Sequence, residues 1–109
     1  MIVSTVRIVV PSEKRTEILE TLSWYLGPVC HQAGCLSCRA YQGLDDENEI
    51  ILVEKWISQA YLNRHISSND YAKLLNLMDL SEETPDVNFI TVSNMAGIEL
   101  IKKVREVGG

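Results

Sequence analysis

Residues 50–75 change from the side-chain pattern of a strand to that of a helix, which constrains the fold more than any other segment. Apolar residues occupy both faces of the first part, with Glu54 and Trp56 on one face, because successive strand residues point in opposite directions. Ser58 is a residue type that favours a helix N-cap, and His65 follows within the helical pattern. The segment predicts a strand that brings Glu54 and Trp56 to a helix carrying His65.

The rest of the chain divides into strands and helices bounded by proline, glycine and acidic turns. An acidic turn at residues 45–48 predicts a hairpin between the second and third strands. The predicted elements are a strand from Ile2 to Val10, a helix capped by Ser12, kinked or interrupted at Gly27-Pro28 and ended by Gly34, a strand from about Cys35 to Gly43, the third strand from Ile50, a helix from about Ser58 to Asp79 bent at Ser67-Ser68-Asn69, a strand from about Val87 to Met95, and a tail helix from Ile98 to Val107.

This order predicts an α+β fold of the ferredoxin-like split βαβ type, β-α-β-β-α-β plus a C-terminal helix, in a single domain of residues 1–109. Two helices cover one face of such a sheet, but the third strand is apolar on both faces. A homodimer that packs sheet against sheet would bury the second face, at about 25 cal/mol per Å² of apolar area. We therefore expect a homodimer.

The formal net charge of −5 indicates a chain without the basic patch that a nucleic-acid-binding surface needs. No apolar run approaches the roughly 18 residues of a membrane helix, and the first residues lack the basic start of a signal peptide. Three cysteines, an odd number, do not build a secreted disulfide framework. These features predict a cytoplasmic protein that binds neither nucleic acid nor membranes.

Cys30, Cys35 and Cys38 have the C-x4-C-x2-C spacing of plant-type iron–sulfur proteins, and His31 could complete a zinc ligand set. An iron–sulfur cluster needs a fourth thiolate, and the chain has three cysteines. Cys35 and Cys38 lie three positions apart on a predicted strand, so they point to opposite faces, which also disfavours a disulfide. We predict no metal site and interpret the cysteines as small buried hydrophobic residues.

Several short motifs occur in a characteristic order. The most specific is Glu54-x-Trp56 with His65 nine residues after the tryptophan. The others are the strand Ile2–Val10, Ala33-Gly34-Cys35-Leu36 after the first helix, the acidic hairpin turn, and Ser67-x-x-x-Tyr71. In order and spacing they resemble the antibiotic biosynthesis monooxygenase (ABM) domain family, which includes quinol monooxygenases and forms dimeric α+β barrels.

The resemblance implies a small aromatic or quinol-like ligand between helices and sheet, in a protein that uses no metal or flavin cofactor. The sequence has Asp70 where several enzymatic members of the family carry a second histidine. It has Ser4 and Thr5 where the haem-degrading branch has an asparagine, and Leu75 about where that branch has a histidine. Haem degradation is therefore disfavoured.

Glu54 and His65 are the candidate catalytic residues. A carboxylate on an apolar strand face and a nearby imidazole can accept the proton of a phenol or quinol. The alternatives are structural: Glu54 as the partner of a backbone amide, of Arg39 or of His65, and His65 as a hydrogen-bonded core residue. Both interpretations predict that Glu54 contributes to activity, to stability or to both.

Four further residues are candidates for substrate binding. Trp56 would stack on a planar substrate, with core filling as the alternative. Tyr71 and Tyr41 would offer hydroxyls and Arg39 a charge for a substrate anion, with core packing and solvated strand-edge charge as the alternatives. Together these residues predict a cofactor-independent monooxygenase that oxidises a phenolic, quinol or polyketide-like aromatic with O₂. The alternative is a non-catalytic small-molecule binder or an isomerase-like enzyme on the same fold.

Overall fold

The computed structural model describes residues 1–108, which form one four-stranded antiparallel sheet and four α-helices. The elements in chain order are β1 (Ile2–Val9), α1 (Arg15–Cys30), β2 (Cys35–Gln42), β3 (Glu49–Trp56), α2 (Gln59–Ile66), α3 (Asn69–Met78), β4 (Asp86–Thr91) and α4 (Ile98–Gly108). The strand order is β2-β3-β1-β4, so the hairpin partner β3 lies at the centre beside β1. The predicted α+β ferredoxin-like fold is confirmed.

The strand register decides which side chains face the helices. Ser4 on β1 lies opposite Glu54 on β3, and Cys38 on β2 lies opposite Glu54 from the other side. Alternate residues of β3 are buried, ending in Glu54 and Trp56, as the period of two predicts. The central strand therefore delivers Glu54 and Trp56 to the covered face of the sheet.

The long helix predicted from Ser58 to Asp79 is two helices, because a second N-cap interrupts it. The side chain of Ser58 accepts a hydrogen bond from the Tyr61 backbone N–H and starts α2. The side chain of Ser68 accepts one from the Tyr71 N–H and starts α3. A serine cap satisfies a backbone donor that a helix start otherwise leaves unpaired. The predicted bend is therefore a break, which gives His65 and Tyr71 separate supporting helices.

Two parts of the prediction for the first helix are wrong, the cap at Ser12 and an interruption at Gly27-Pro28. Ser12 does not cap it: this residue begins a single 3₁₀ turn, its hydroxyl accepts a hydrogen bond from Asn48 Nδ2 at 2.8 Å, and α1 starts at Arg15 without a side-chain cap. The helix also runs through Pro28 to Cys30. Proline removes one backbone donor, and near the C-terminus of a helix this loss affects only the final turn.

Gly34 lies beyond the end of α1, which stops at Cys30, and turns the chain into β2. Its φ of +82° is in the region that glycine adopts without strain. A Cβ at this position would lie 2.2 Å from Cγ of Tyr61 on α2. The glycine therefore allows the close approach of this turn to α2.

The last strand is shorter than the predicted range of Val87 to Met95. β4 pairs with β1 alone, and the pairing ends where Thr91 faces Ile2, the first residue of β1.

No helix within residues 1–108 has both the length and the apolar character needed to cross a lipid bilayer.

The second face of the sheet, here called the open face, is not covered by the helices. Its apolar centre includes the half-buried Ile51 and Val53 on β3 and Ile90 on β4, which is 50% exposed. The register places Arg39 and Asp86 at its two edges. The apolar character of both faces of β3 is thus present in the fold, and the open face is available to a partner.

Candidate functional site

Glu54 lies at the centre of a buried polar cluster on the covered face of the sheet. Glu54 is 1% exposed, and three side-chain donors approach its two carboxylate oxygens. The Tyr25 hydroxyl donates to Oε2 at 2.6 Å, and the Trp56 indole donates from Nε1 to Oε1 at 3.1 Å. Nε2 of His65 lies 3.0 Å from Oε1. A buried carboxylate is stable only with such partners, so this arrangement explains how an apolar strand accommodates Glu54.

His65 is held by contacts on both ring nitrogens and by two aromatic neighbours. Its Nδ1 lies 2.9 Å from the side-chain oxygen of Gln32, while its Nε2 lies 3.0 Å from the Tyr25 hydroxyl as well as from Glu54. The ring stacks on Trp56 with centroids 4.5 Å apart and meets the edge of Tyr71 at 5.2 Å and 87°. The imidazole is therefore fixed in orientation, with Nε2 directed at the carboxylate.

Tyr25 has a single proton, and the short contact assigns it to Glu54. Burial raises the pKa of Tyr25 far above its ordinary value, and the nearby negative charge of Glu54 raises it further. The phenol thus stays protonated at physiological pH and donates to the carboxylate. Its oxygen then faces Nε2 of His65 as an acceptor, so the two oxygen atoms within 3.0 Å of Nε2, those of Tyr25 and Glu54, can both accept a hydrogen bond from it.

The cluster reaches the surface through Gln32. The Gln32 amide nitrogen donates to Oδ2 of Asp70 at 2.9 Å, while its oxygen faces His65. The side chain of Asp70 is 27% exposed and also lies 3.5 Å from the Lys73 ammonium. A chain of contacts therefore runs from a surface carboxylate to the buried one.

The structure brings together four of the six predicted site residues. Glu54, Trp56, His65 and Tyr71 form one cluster, in which the exposed fraction is 5% or less for each residue. Burial first, and then the charge of Glu54, raises the pKa of Tyr71. Trp56 and Tyr71 are part of the hydrophobic core, so the cluster is shielded from water.

The other two predicted residues, Arg39 and Tyr41, lie on the open face. The sheet separates them from Glu54, so a ligand that touches Glu54 does not reach them from the same side. Both line a surface cavity of about 290 Å³ together with Val53 and Lys55. Their role in substrate binding stays a prediction, and it concerns a different surface from the Glu54 cluster.

Sequence reasoning missed Tyr25 and Gln32 as members of the cluster. Tyr25 lies on the buried stripe of α1 with Ile18, Leu22 and Val29, and its apolar spacing gives no sign of the hydroxyl's partner. Gln32 lies in the turn after α1, where no periodic pattern indicates which side chains point inward. Only the packing of α1 and this turn against β3 and α2 reveals both contacts.

The cysteines form no metal centre within the described residues, where no group of three histidine, cysteine or acidic side chains has a suitable arrangement. The Cys30 thiol donates to the backbone oxygen of Cys38 at 3.4 Å instead. Cys38 is buried, Cys35 is partly buried, and Cys30 is exposed. The interpretation as buried hydrophobic residues therefore fits Cys38 best and is wrong for Cys30.

Comparison with solved structures shows that this fold is shared by several small proteins. A structure described as an antibiotic biosynthesis monooxygenase has 13% identity and a TM-score of 0.78, covering 86% of this chain and 100% of its own. A candidate antibiotic biosynthesis monooxygenase from Deinococcus radiodurans has 14% identity and a TM-score of 0.81, covering 90% and 98%. A Mycobacterium tuberculosis protein has 21% identity and a TM-score of 0.78, covering 88% and 98%. At these identities the likeness concerns the fold alone.

Family membership rests on the sequence itself. No curated protein sequence matches the chain. The family model for antibiotic biosynthesis monooxygenase matches residues 1–76, a range that includes β1 to β3, most of the helices on the covered face, and the whole Glu54 cluster. The chain belongs to the antibiotic biosynthesis monooxygenase family.

Proposed function

We propose that the protein is a cofactor-independent monooxygenase that oxidises a small phenolic, quinol or polyketide-like aromatic with O₂. The observation that carries the proposal is the buried pair of Glu54 and His65, whose Oε1 and Nε2 atoms lie 3.0 Å apart beside the Trp56 ring. Family membership supports the reaction class. The substrate class is the one that the family resemblance implies, and the aromatic side chains beside the pair support it.

The proposed first step is removal of the substrate's hydroxyl proton by the Glu54–His65 pair. The resulting phenolate or enolate is electron-rich and reacts with O₂. A carbon–oxygen bond forms at the reacting carbon and the O–O bond then breaks. One oxygen atom stays on the substrate as a carbonyl, the other leaves as water with two hydrogens lost by the substrate, and the substrate supplies all four electrons. An electron-rich anion and a peroxide-level intermediate both need shielding from water, which a site with side chains buried to this degree offers.

The aromatic residues would position the substrate. Trp56 and His65 already form a stack, and Tyr71 stands edge-on to the imidazole. A planar aromatic ligand that displaces Tyr71 or continues the stack would lie within reach of Nε2 of His65. Stacked and edge-on arrangements of this kind stabilise aromatic pairs by about 0.5–1.5 kcal/mol each.

A second candidate function is a non-catalytic small-molecule binder or an isomerase-like enzyme. It is favoured by one observation: within the described residues, every buried side-chain nitrogen and oxygen already has a hydrogen-bond partner in the protein. A saturated cluster acts as a structural element until a ligand competes for one of its contacts. This candidate needs ligand binding without consumption of O₂.

We also propose that the protein acts as a homodimer that packs open face against open face. The apolar centre of that face is the supporting observation, since burying it removes Val53, Ile51 and Ile90 from water. The face is also self-complementary in charge, with Arg39 on one edge strand and Asp86 on the other. A two-fold axis parallel to the strands would place one edge over the other, as an isologous interface requires.

Oxygen consumption with a panel of quinols and anthrone-type compounds separates the two candidate functions. The monooxygenase predicts uptake by the wild type and loss of uptake in Glu54→Gln, with the exposed Glu17→Gln on α1 as the matched control. The binder predicts no uptake, together with ligand-induced increases in melting temperature. That second outcome would overturn the first proposal. If Glu54→Gln changes neither activity nor stability, both roles of Glu54 are excluded.

A further inference from the structure

We propose that Asp70 is a positioning residue. Acting through Gln32, it keeps a proton on Nδ1 of His65, so that the exchangeable proton is the one on Nε2, which faces Glu54. The contacts are Asp70 Oδ2 to Gln32 Nε2 at 2.9 Å and Gln32 Oε1 to His65 Nδ1 at 2.9 Å. Asp70 lies in the first turn of α3, and its role is assigned by these contacts alone.

The two ends of the Gln32 amide have different hydrogen-bonding roles, since the nitrogen donates and the oxygen accepts. A carboxylate can only accept a hydrogen bond, so Asp70 requires the NH₂ end of Gln32 on its side. The oxygen of Gln32 must then point toward Nδ1 of His65. If the amide were reversed, its oxygen would face the Asp70 carboxylate at hydrogen-bond distance, which is repulsive. The charge at Asp70 thus determines the orientation of the amide.

The orientation of Gln32 in turn determines the tautomer of His65. An amide oxygen accepts, so Nδ1 of His65 must carry a proton in every protonation state of the cluster. The proton that can move is then the one at Nε2, which lies 3.0 Å from Glu54 Oε1. Free neutral imidazole can place its proton on either nitrogen, and Gln32 removes that freedom. The basic nitrogen is thereby directed into the candidate site.

The other groups around His65 do not contact Nδ1. Tyr25 from α1 and Glu54 from β3 both act on Nε2, and Trp56 and Tyr71 contact only the ring faces or edge. Lys73 lies 3.5 Å from Asp70 on its outer side and reaches His65 only through it. Gln32 is the residue at Nδ1, and Asp70 is its charged partner.

Nitrogen-15 NMR of the imidazoles tests the proposal without an activity assay. The chain has two histidines, and the exposed His31 serves as a reference in the same spectrum. In the wild type we expect His65 Nδ1 to give a protonated, pyrrole-type signal at every pH at which the protein is folded. In Asp70→Ala we expect this signal to become an average of both tautomers. Asp70→Glu should restore it, and the His31 signals should be the same in all variants.

A merely structural Asp70, acting as a negative charge in the first turn of α3, gives a different result. It predicts a lower melting temperature for Asp70→Ala with no change in the His65 tautomer. That outcome, or an unprotonated Nδ1 in the wild type, would overturn the proposal. If Asp70→Ala does not fold, Gln32→Met in the same experiment decides, because it removes the amide and leaves α3 intact.

The catalytic consequence rests on the proposed monooxygenase function. If the wild type consumes O₂, Asp70→Ala should lower kcat more than it raises KM, and Asp70→Glu should recover kcat. If the wild type consumes no O₂, the NMR result still decides whether Asp70 positions His65. Failure of one proposal is therefore distinguishable from failure of the other.

Discussion

The imidazole of His65 stacks on the indole of Trp56 with the ring centroids 4.5 Å apart and the planes inclined by 25°. Both rings also direct a nitrogen at the same atom, Oε1 of Glu54, at 3.0 and 3.1 Å. The strand supplies one ring and the carboxylate, and the helix supplies the other ring. Strand and helix are thus joined by hydrogen bonds as well as by apolar contact.

Trp56→Phe should lower the free energy of unfolding, because it leaves Glu54 without one of its three donors. We expect a loss of about 1–3 kcal/mol, the usual cost of removing one partner from a buried polar group. Urea unfolding followed by circular dichroism measures it. The matched control is Trp24→Phe, since Trp24 is 77% exposed and should change stability by less than about 0.5 kcal/mol. Equal effects at both tryptophans would contradict the assigned role of the indole N–H.

Stability should fall at high pH because of Tyr25. Its folded-state pKa is raised by burial and by Glu54 above the ordinary value of 10.0. Below that pH both folded and unfolded chains keep the proton, so the stability is fully present. Above it the unfolded chain releases a proton that the folded chain retains, and the free energy of unfolding should decline by up to about 1.4 kcal/mol per pH unit. Urea unfolding at a series of pH values should show this slope, and Tyr25→Phe should reduce it.

The three thiols should react at different rates. Burial, as the largest cause, raises the pKa of Cys35 from 9.0 to about 11, so its reactive thiolate should be about 100-fold less populated than that of an ordinary thiol. Burial also raises the pKa of the buried Cys38. A disulfide reagent at mildly alkaline pH should therefore modify one thiol quickly, and Cys30→Ser should abolish that fast phase. If all three thiols react at the same rate, the predicted order of reactivity is wrong.

Val53→Asp should convert the proposed dimer to a monomer. The substitution places a charge at the apolar centre of the open face, where it would be desolvated on association. Light scattering coupled to size-exclusion chromatography gives the mass of each species. Ala60→Asp adds the same charge at an exposed position of α2 and should remain a dimer. A monomeric wild type at high concentration would reject the open face as a dimer interface.

The sequence predicted the strands well because the period-two pattern of β3 has a direct physical cause. Its buried positions contact the helices, and Glu54 and Trp56 lie on that face as expected. A different local signal, the serine N-cap at Ser58, correctly predicted that His65 lies on a helix. Local patterns therefore located four members of the cluster.

Contacts between distant segments were beyond sequence reasoning. Tyr25 is 29 positions before its partner Glu54 in the sequence, and Gln32 is 33 positions before its partner His65. The Ser12 hydroxyl accepts a hydrogen bond from Asn48, in the turn between β2 and β3, and the local sequence around Ser12 gives no sign of this partner. Arg39 and Glu54 lie on opposite faces of the sheet. The sequence does not predict this, because it depends on how β2 pairs with β3 as well as on the pattern within each strand.

The position of β3 has a consequence for how any ligand can enter. This strand is hydrogen-bonded along both edges, whereas His65 and Tyr71 belong to two short helices separated by the Ser68 cap. Amide protons of a doubly paired central strand exchange with solvent mainly through global unfolding, and those of short surface helices exchange through local opening. A ligand should therefore reach Glu54 when α2 and α3 open locally, while the strands of the sheet stay hydrogen-bonded. A bound ligand should slow hydrogen exchange in those two helices by blocking their local opening, and in β3 only as far as it raises the free energy of unfolding.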